Sequence, residues 1–469
     1  MSDNDNKIKA NLSERDKKYR ERSLNAPMWK VVLSVGFPLA MYQSLNILFT
    51  IFDTMMASKI SSQSVSAVAY LAQLNFILSA LGTGLAVGAG VQISRAYGEG
   101  DYKTVKQRVS TIYALCLSIG LLILITLLPF TNQFLKFAGT PASLIKIGAK
   151  YFQVQLFTLV VHFVNNVYIS VERSRGNSKR ILYLNLLVIL TKLGLTALFV
   201  YGFDGELVMI AAASLISELV LLVFAILNSK DKNNAFGFSI SSITFDKNVN
   251  KPMIVSAIPV IAEKMLFGFG KTIVNSMCTV YGDLMVGAMG VSNNLGGITT
   301  NPQNGFQEGT CAIVSQNYGA KRYKRVLSAF YVTCIVNVII GIIISSLTIH
   351  FSYELSGLFA KNDEEFRRLI MLTYKYEAYG AVPLGINASV LALMYGLGKT
   401  KLSMVINVAR VFVFRIPVFW FLQNFTNYGE KSVGMVMMIS NISVTVMAIL
   451  VAIVVIRQFK KENITTYNI

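Results

Sequence analysis

Charge is scarce in this chain. Only 14% of its 469 residues are Asp, Glu, Lys or Arg, and 54% are hydrophobic; soluble globular domains carry about 25% charged residues. With a mean hydropathy of +0.54, the composition excludes an ordinary soluble enzyme and points to an all-α polytopic membrane protein. Histidine is scarcer still. His162 and His350 stand far apart, no H-E-x-x-H occurs, and no metal site is expected. A Walker A loop is absent, so ATP hydrolysis by this chain is not expected. Four cysteines, Cys116, Cys278, Cys311 and Cys334, stand singly in apolar segments; their spacing fits neither a disulfide scaffold nor a zinc site. No Ser, His and Asp constellation suggests catalysis, and the expectation is a non-enzyme without a cofactor. The stretch through Lys30 is polar and basic, without the apolar core of a signal peptide, and is expected to be a cytoplasmic tail, helical near Ser13 to Arg22.

Long apolar runs are abundant instead. A spanning helix needs about 20 mostly apolar residues, and twelve candidates emerge, at 31–57, 64–94, 106–133, 143–171, 179–201, 206–228, 253–281, 284–316, 327–353, 366–395, 401–423 and 432–456. Lys and Arg concentrate in every second connection: around Lys103 to Arg108, Arg173 to Arg180, Lys230 to Lys251, Lys321 to Arg325, Lys399 to Lys401 and Arg457 to Lys461. The alternate connections are poorer in them. That alternation implies a multi-pass protein of the cell membrane with both termini cytoplasmic. It also absorbs the net charge of +19, so no nucleic-acid partner is expected.

The chain repeats itself. At an offset of 221, Pro38 falls on Pro259, Gly84 and Gly88 on Gly305 and Gly309, Ser94 on Ser315, and Tyr97-Gly98 on Tyr318-Gly319; at 222, Gly176 falls on Gly398 and Asn185 on Asn407. Self-similarity on this scale marks a transporter built from internal repeats. Six spans per half is an even number, so the repeats are parallel and a cavity is expected near the axis relating them. The domains follow: tail 1–30, N-lobe 31–228, linker 229–251, C-lobe 252–457 and C-tail 458–469.

A charge at the bilayer centre costs about 2.5–3.5 kcal/mol, so ionisable residues in spans are candidate functional groups. In the first span Tyr42, Asn46, Thr50 and Asp53 form one polar stripe, with Asp53 as a cation or proton site. The fifth carries Ser178, Asn185, Lys192 and Thr196, Lys192 being a possible counter-ion of Asp53. In the seventh, Glu263 and Lys271 share a face with Asn275 at a separation of about 12 Å, too far for a direct pair. Glu377 and Arg410 are expected to neutralise each other, Arg415 to anchor a kink before Pro417, and Glu308 has no assigned place. The run Gly290 to Thr310 is too polar for a plain lipid-facing helix, and Asn294 is among its possible substrate contacts. Pro38, Pro259, Pro302 and Pro383 are candidate hinges, with helix packing as the plain alternative.

These residues resemble the multidrug and toxic compound extrusion (MATE) family, within the wider superfamily that includes oligosaccharide and polysaccharide flippases. The resemblance runs from about Lys30 to Arg457. It rests on FDTMMAS (Phe52 to Ser58), GLAVGAGVQISRAYGEGD (Gly84 to Asp101), SRGNSK (Ser174 to Lys179), IPVIAEKMLFGFGKTIVNSM (Ile258 to Met277), SQNYGAKR (Ser315 to Arg322) and GLGKTK (Gly396 to Lys401). It implies two six-helix lobes in a V around a central cavity, and efflux coupled to H⁺ or Na⁺. Asp53 is then the carboxylate of the N-lobe cation site, and Glu263 the acid of the seventh helix. Lys192 and Thr196 depart from the Asn and Asp often found there, which argues against Na⁺ and against a purely cationic substrate. The expectation is a monomeric antiporter of small organic, drug-like compounds, working by alternating access among membrane lipids. The alternative is a flippase for a lipid-linked or phospholipid substrate, with Lys192, Lys271 and Arg410 meeting phosphate.

Overall fold

In lipid a backbone must satisfy its own polar groups, and long apolar runs do so as helices. The computed structural model describes residues 10–60, 62–203, 205–360 and 363–463, of which 47–60, 62–66 and 69 are described by backbone alone. Among the described residues the only strand-like pairing is one isolated bridge, Asn11 with Asn234.

The helices are α1 (Glu14–Asn25), α2 (Met28–Ile60), α3 (Ser62–Glu99), α4 (Tyr102–Leu127), α5 (Thr131–Phe137), α6 (Ala142–Ser174), α7 (Ser178–Ala197), α8 (Leu207–Asn228) and α9 (Lys247–Cys278). Then follow α10 (Asp283–Gly319), α11 (Tyr323–His350), α12 (Ser352–Ala360), α13 (Glu364–Tyr379), α14 (Ala381–Gly396), α15 (Thr400–Phe412), α16 (Ile416–Phe425) and α17 (Lys431–Glu462). Every expected span coincides with a helix or a broken pair, giving a twelve-span, two-lobe layout. The broken ones are informative. α7 ends in a π-turn at Leu198–Gly202. α13 and α14 bend by 47° at Gly380, just before Pro383. α15 and α16 part at Val413–Arg415, before Pro417, because proline cannot donate to the helix ladder.

Among the described residues nine helical spans are long and apolar enough to cross a membrane, ten if α13–α14 count as one. Two expected spans fall outside that set: α2, partly described by backbone alone, and α10, which carries the polar run. One face of α10 is turned into the protein, and its Ser292, Gln303, Thr310 and Asn317 are buried there.

Two compact units share the chain. One comprises Met1–Arg22 and Leu45–Ile261, the other Ser23–Ser44 and Ala262–Ile469. The linker at 229–251 is therefore no boundary between them: the N-terminal part of α2 belongs with the later helices, and that of α9 with the earlier ones. Glycine makes both arrangements possible. In the first unit, a Cβ on Gly88 would stand 2.5 Å from Ala257 backbone, and one on Gly84 2.9 Å from the Ile261 nitrogen. In the second, a Cβ on Gly305 would stand 2.4 Å from the Ala40 nitrogen, and one on Gly309 3.2 Å from the Gly36 Cα. These are the same four positions at an offset of 221. Backbones approach this closely only where one side lacks a side chain.

The first unit holds two apolar cores, one around Phe163, Tyr97 and Ala257, another around Phe152, Leu71 and Leu156. The second is built around Phe419, Tyr374 and Met289. The N-terminal segment is docked. Asp16, 1% exposed, accepts from Asn234 at 2.9 Å and pairs with Arg175 at 3.5 Å, while Arg20 donates to the carbonyls of Tyr97 and Gly98 at 3.0 and 2.8 Å. Arg175 also pairs with buried Glu172.

Candidate functional site

In the second unit, Glu263 projects from α9 and is 8% exposed. Its Oε2 accepts from the Tyr395 hydroxyl of α14 at 2.6 Å, and its Oε1 from Asn407 Nδ2 of α15 at 2.6 Å. Both donors are neutral, and among the described residues no cation lies within 4.0 Å. Asn407 is the repeat mate of Asn185, whose own amide is spent on the Ile181 carbonyl at 2.8 Å. A carboxylate held this way can take up or release a proton without breaking an ion pair.

Other charges of the same unit make a separate group. Glu377 accepts from Ser292 Oγ at 2.6 Å and lies against α10 at Gly296, where a Cβ would come 2.7 Å from its Oε1. Arg410 Nε and Arg415 Nη2 both donate to Asn441 Oδ1, at 3.1 and 3.2 Å, and Arg415 Nε donates to Ser440 Oγ at 3.0 Å. The Arg410 guanidinium stands over the Phe267 ring, 5.7 Å from its centroid. Arg415, Arg410 and Lys271 all act electrostatically on Glu377. The expected Glu377–Arg410 contact is thus one of proximity: among the described residues neither guanidinium is within 4.0 Å of that carboxylate. Arg415 does stand at a helix break, 3% exposed.

The first unit has a charged cluster of its own. Glu218 of α8 accepts from Asn165 Nδ2 at 2.6 Å, and its other oxygen meets His162 Nδ1 at 3.1 Å, both from α6. Asn165 also donates to the Glu218 carbonyl at 2.9 Å, and Lys192 of α7 acts on Glu218 electrostatically. His162 is therefore not isolated, and Glu218 is a clustered charge that inspection of the sequence missed. The signal was there: it is the lone charge between Leu207 and Asn228.

The remaining candidates are dispersed. Lys192 and Asn185 are buried on one face of α7; Tyr42 and Asn46 are half-buried; Lys271, Asn275 and Asn294 are exposed. The side chains of Asp53 and Thr50 lie outside the described residues, as does any meeting of Asp53 with Lys192. Glu308 accepts from Gln43 Nε2 at 3.1 Å.

The MatE family model matches residues 38–198 and 259–421. A probable multidrug resistance protein, YoeA of Bacillus subtilis, is 23% identical over 375 residues, 77% of this chain and 80% of its own length. The multidrug export protein MepA of Staphylococcus aureus is 24% identical over 349 residues, 73% of this chain and 75% of its own. Among solved structures, one described as an outward-facing conformation of a multidrug resistance MATE family transporter has a TM-score of 0.90 at 18% identity, covering 96% of this chain and 99% of that one. A crystal structure of MATE in complex with MaL6 gives the same TM-score and identity, covering 94% and 99%.

Proposed function

The chain belongs to the MatE family, the multidrug and toxic compound extrusion transporters, and from that membership we propose that it is a proton-coupled antiporter exporting small organic compounds across the cell membrane. The relatives named above for multidrug export and resistance support the cargo class. Glu263 is the observation that carries the coupling. Its carboxylate is buried against two neutral groups with, among the described residues, no cation within 4.0 Å, so a proton is the charge that would neutralise it. Asp53 is the coupling carboxylate of the first half of the chain, with Tyr42, Asn46 and Thr50 on its stripe. The transporter works as a monomer, with both termini on the cytoplasmic side where Lys and Arg gather. Translocation, not catalysis, is its activity.

The driving force suffices. One proton crossing 100 mV releases about 2.3 kcal/mol, and each pH unit adds about 1.4 kcal/mol. Together they sustain a substrate gradient of roughly a few hundredfold.

The test is purified protein in liposomes, with two fluorescent reporters, cationic ethidium and an anionic naphthalenesulfonate, and imposed pH or Na⁺ gradients. Flux should follow the pH gradient and ignore Na⁺. Glu263→Gln should abolish the dependence on pH while leaving a folded protein. Flux indifferent to both gradients, or a Glu263→Gln variant coupled like the parent, would reject this assignment. Scrambling of a labelled phospholipid without flux of either reporter would instead favour a flippase.

A further inference from the structure

The repeat extends to one cation buried in both halves, and beside it a carboxylate of the first half gives way to an amide in the second. After the break at Val413–Arg415 the offset grows by one residue, to 223. It then sets Ala211 on Gly434, Ala213 on Val436, Ser217 on Ser440, Leu221 on Val444 and Ala225 on Ala448, every one of them buried. The same offset sets Lys192 on Arg415 and Glu218 on Asn441. In the first unit the cation acts on a carboxylate. In the second the equivalent cation, Arg415, donates to an amide oxygen, and Arg410 donates to that same oxygen.

In the second unit Lys271, Arg410 and Arg415 all act on one carboxylate, and α9 meets α15 beside Lys271, where a Cβ on Gly270 would come 2.2 Å from Val411. That carboxylate, Glu377, is drawn against α10 by Ser292 and lies over Gly296. Among the described residues no acidic oxygen is within 4.0 Å of any of the three. Buried charge is normally paired, and two guanidiniums converging on one neutral oxygen leave donors unspent. Arginine forks match carboxylate, sulfonate and phosphate oxygens. Lys271 is exposed and Arg410 half-buried, so these two are open to a ligand, with buried Arg415 behind them on the shared Asn441 oxygen, while the Phe267 ring beside Arg410 offers an apolar wall.

We propose that Lys271, Arg410 and Arg415 form a binding site for the acidic group of an amphiphilic organic anion, a carboxylate, sulfonate or phosphate on an apolar body, which is the substrate class of this transporter. Asn441, standing where the other unit has Glu218, keeps the site's polarity positive. The proposal rests on the export reading above and specifies its cargo.

Two aromatic probes of similar size and opposite charge test it: 2-naphthalenesulfonate and N-methylquinolinium. Their affinities for the full-length protein in uncharged detergent are measured by calorimetry. The sulfonate should bind at least about tenfold more tightly than the quinolinium. Lys271→Gln and Arg410→Gln should each weaken it by about tenfold, the loss expected of one charge-assisted hydrogen bond. Arg410→Lys should recover part of that loss. Lys271 is exposed, so its variant folds even if an Arg410 variant does not, and melting curves of the unliganded proteins identify any that fail. Competition by phosphatidylglycerol in mixed micelles would assign the anion to a lipid headgroup; lack of competition would assign it to a soluble organic acid. Tighter binding of the quinolinium, or sulfonate binding unchanged in both glutamine variants, would overturn the proposal. Because binding is read without transport, it separates from the antiport reading. Sulfonate binding without proton-driven flux sinks antiport alone, and proton-driven ethidium flux without sulfonate binding sinks this site alone.

Discussion

Glu218 stands between His162 and Lys192, two groups able to carry positive charge, with Asn165 as a neutral donor. Removing its charge should cost the protein about 1–3 kcal/mol, the worth of a hydrogen-bonded charge. Glu218→Gln is expected to lower the melting temperature of the detergent-solubilised protein, and adding Lys192→Met should restore part of the loss. An unchanged melting temperature in the single variant would show that the cluster contributes nothing to stability. At this scale the sequence was legible in part. Glu263 stood out as an acid in an apolar helix, and the repeat singled out Asn407 by aligning it with Asn185. Tyr395 carried no such mark, because its contact with Glu263 bridges 132 residues of chain. The same holds for His162 and Glu218. A lone polar residue announces its cost, while the residue that offsets it depends on which helix faces which.

Helices and their ends were easier to anticipate, because apolar length and glycine placement are local properties. Gly100 and Lys321 occupy the same repeat position, and both are left-handed, at φ 85° and 57°. A lysine there is strained by roughly 1 kcal/mol, so Lys321→Gly should raise thermal stability slightly; a drop would show that the lysine side chain outweighs its backbone. The glycine contacts make a sharper contrast. Gly88→Ala and Gly305→Ala drive a methyl group into backbone, which cannot move aside as a side chain can. Both should destabilise the protein strongly. Gly194→Ala and Gly290→Ala, with nothing within 4 Å of the new methyl, should be neutral or stabilise by up to about 1 kcal/mol. Equal melting temperatures across the four variants would contradict the close approach. The breaks in α7, α13–α14 and α15–α16 were less legible. Proline marks two of them, but the π-turn after α7 has no local sequence signature.

The division of the whole molecule was the least legible feature. Sequence similarity locates the copies of a repeat, but not which copy a given half-helix packs with. Here Ser23–Ser44 belongs with Ala262–Ile469, and the start of α9 with the earlier helices. Cutting the chain between Thr244 and Phe245 should therefore give two fragments that are each incomplete. Expressed alone, each should aggregate on size-exclusion chromatography; expressed together, they should elute as one species. Fragments that were each monodisperse alone would show that the exchange adds little. The exchange also has a consequence for biosynthesis. Ala40 and Gly305, whose backbones meet, are separated by 265 residues. Ribosomes add about 5–20 residues per second, so the opening helix waits roughly 13–53 s after its own synthesis before its partner exists. During that interval the nascent chain holds an exposed glycine-matched surface, and the insertion machinery or a chaperone must shield it.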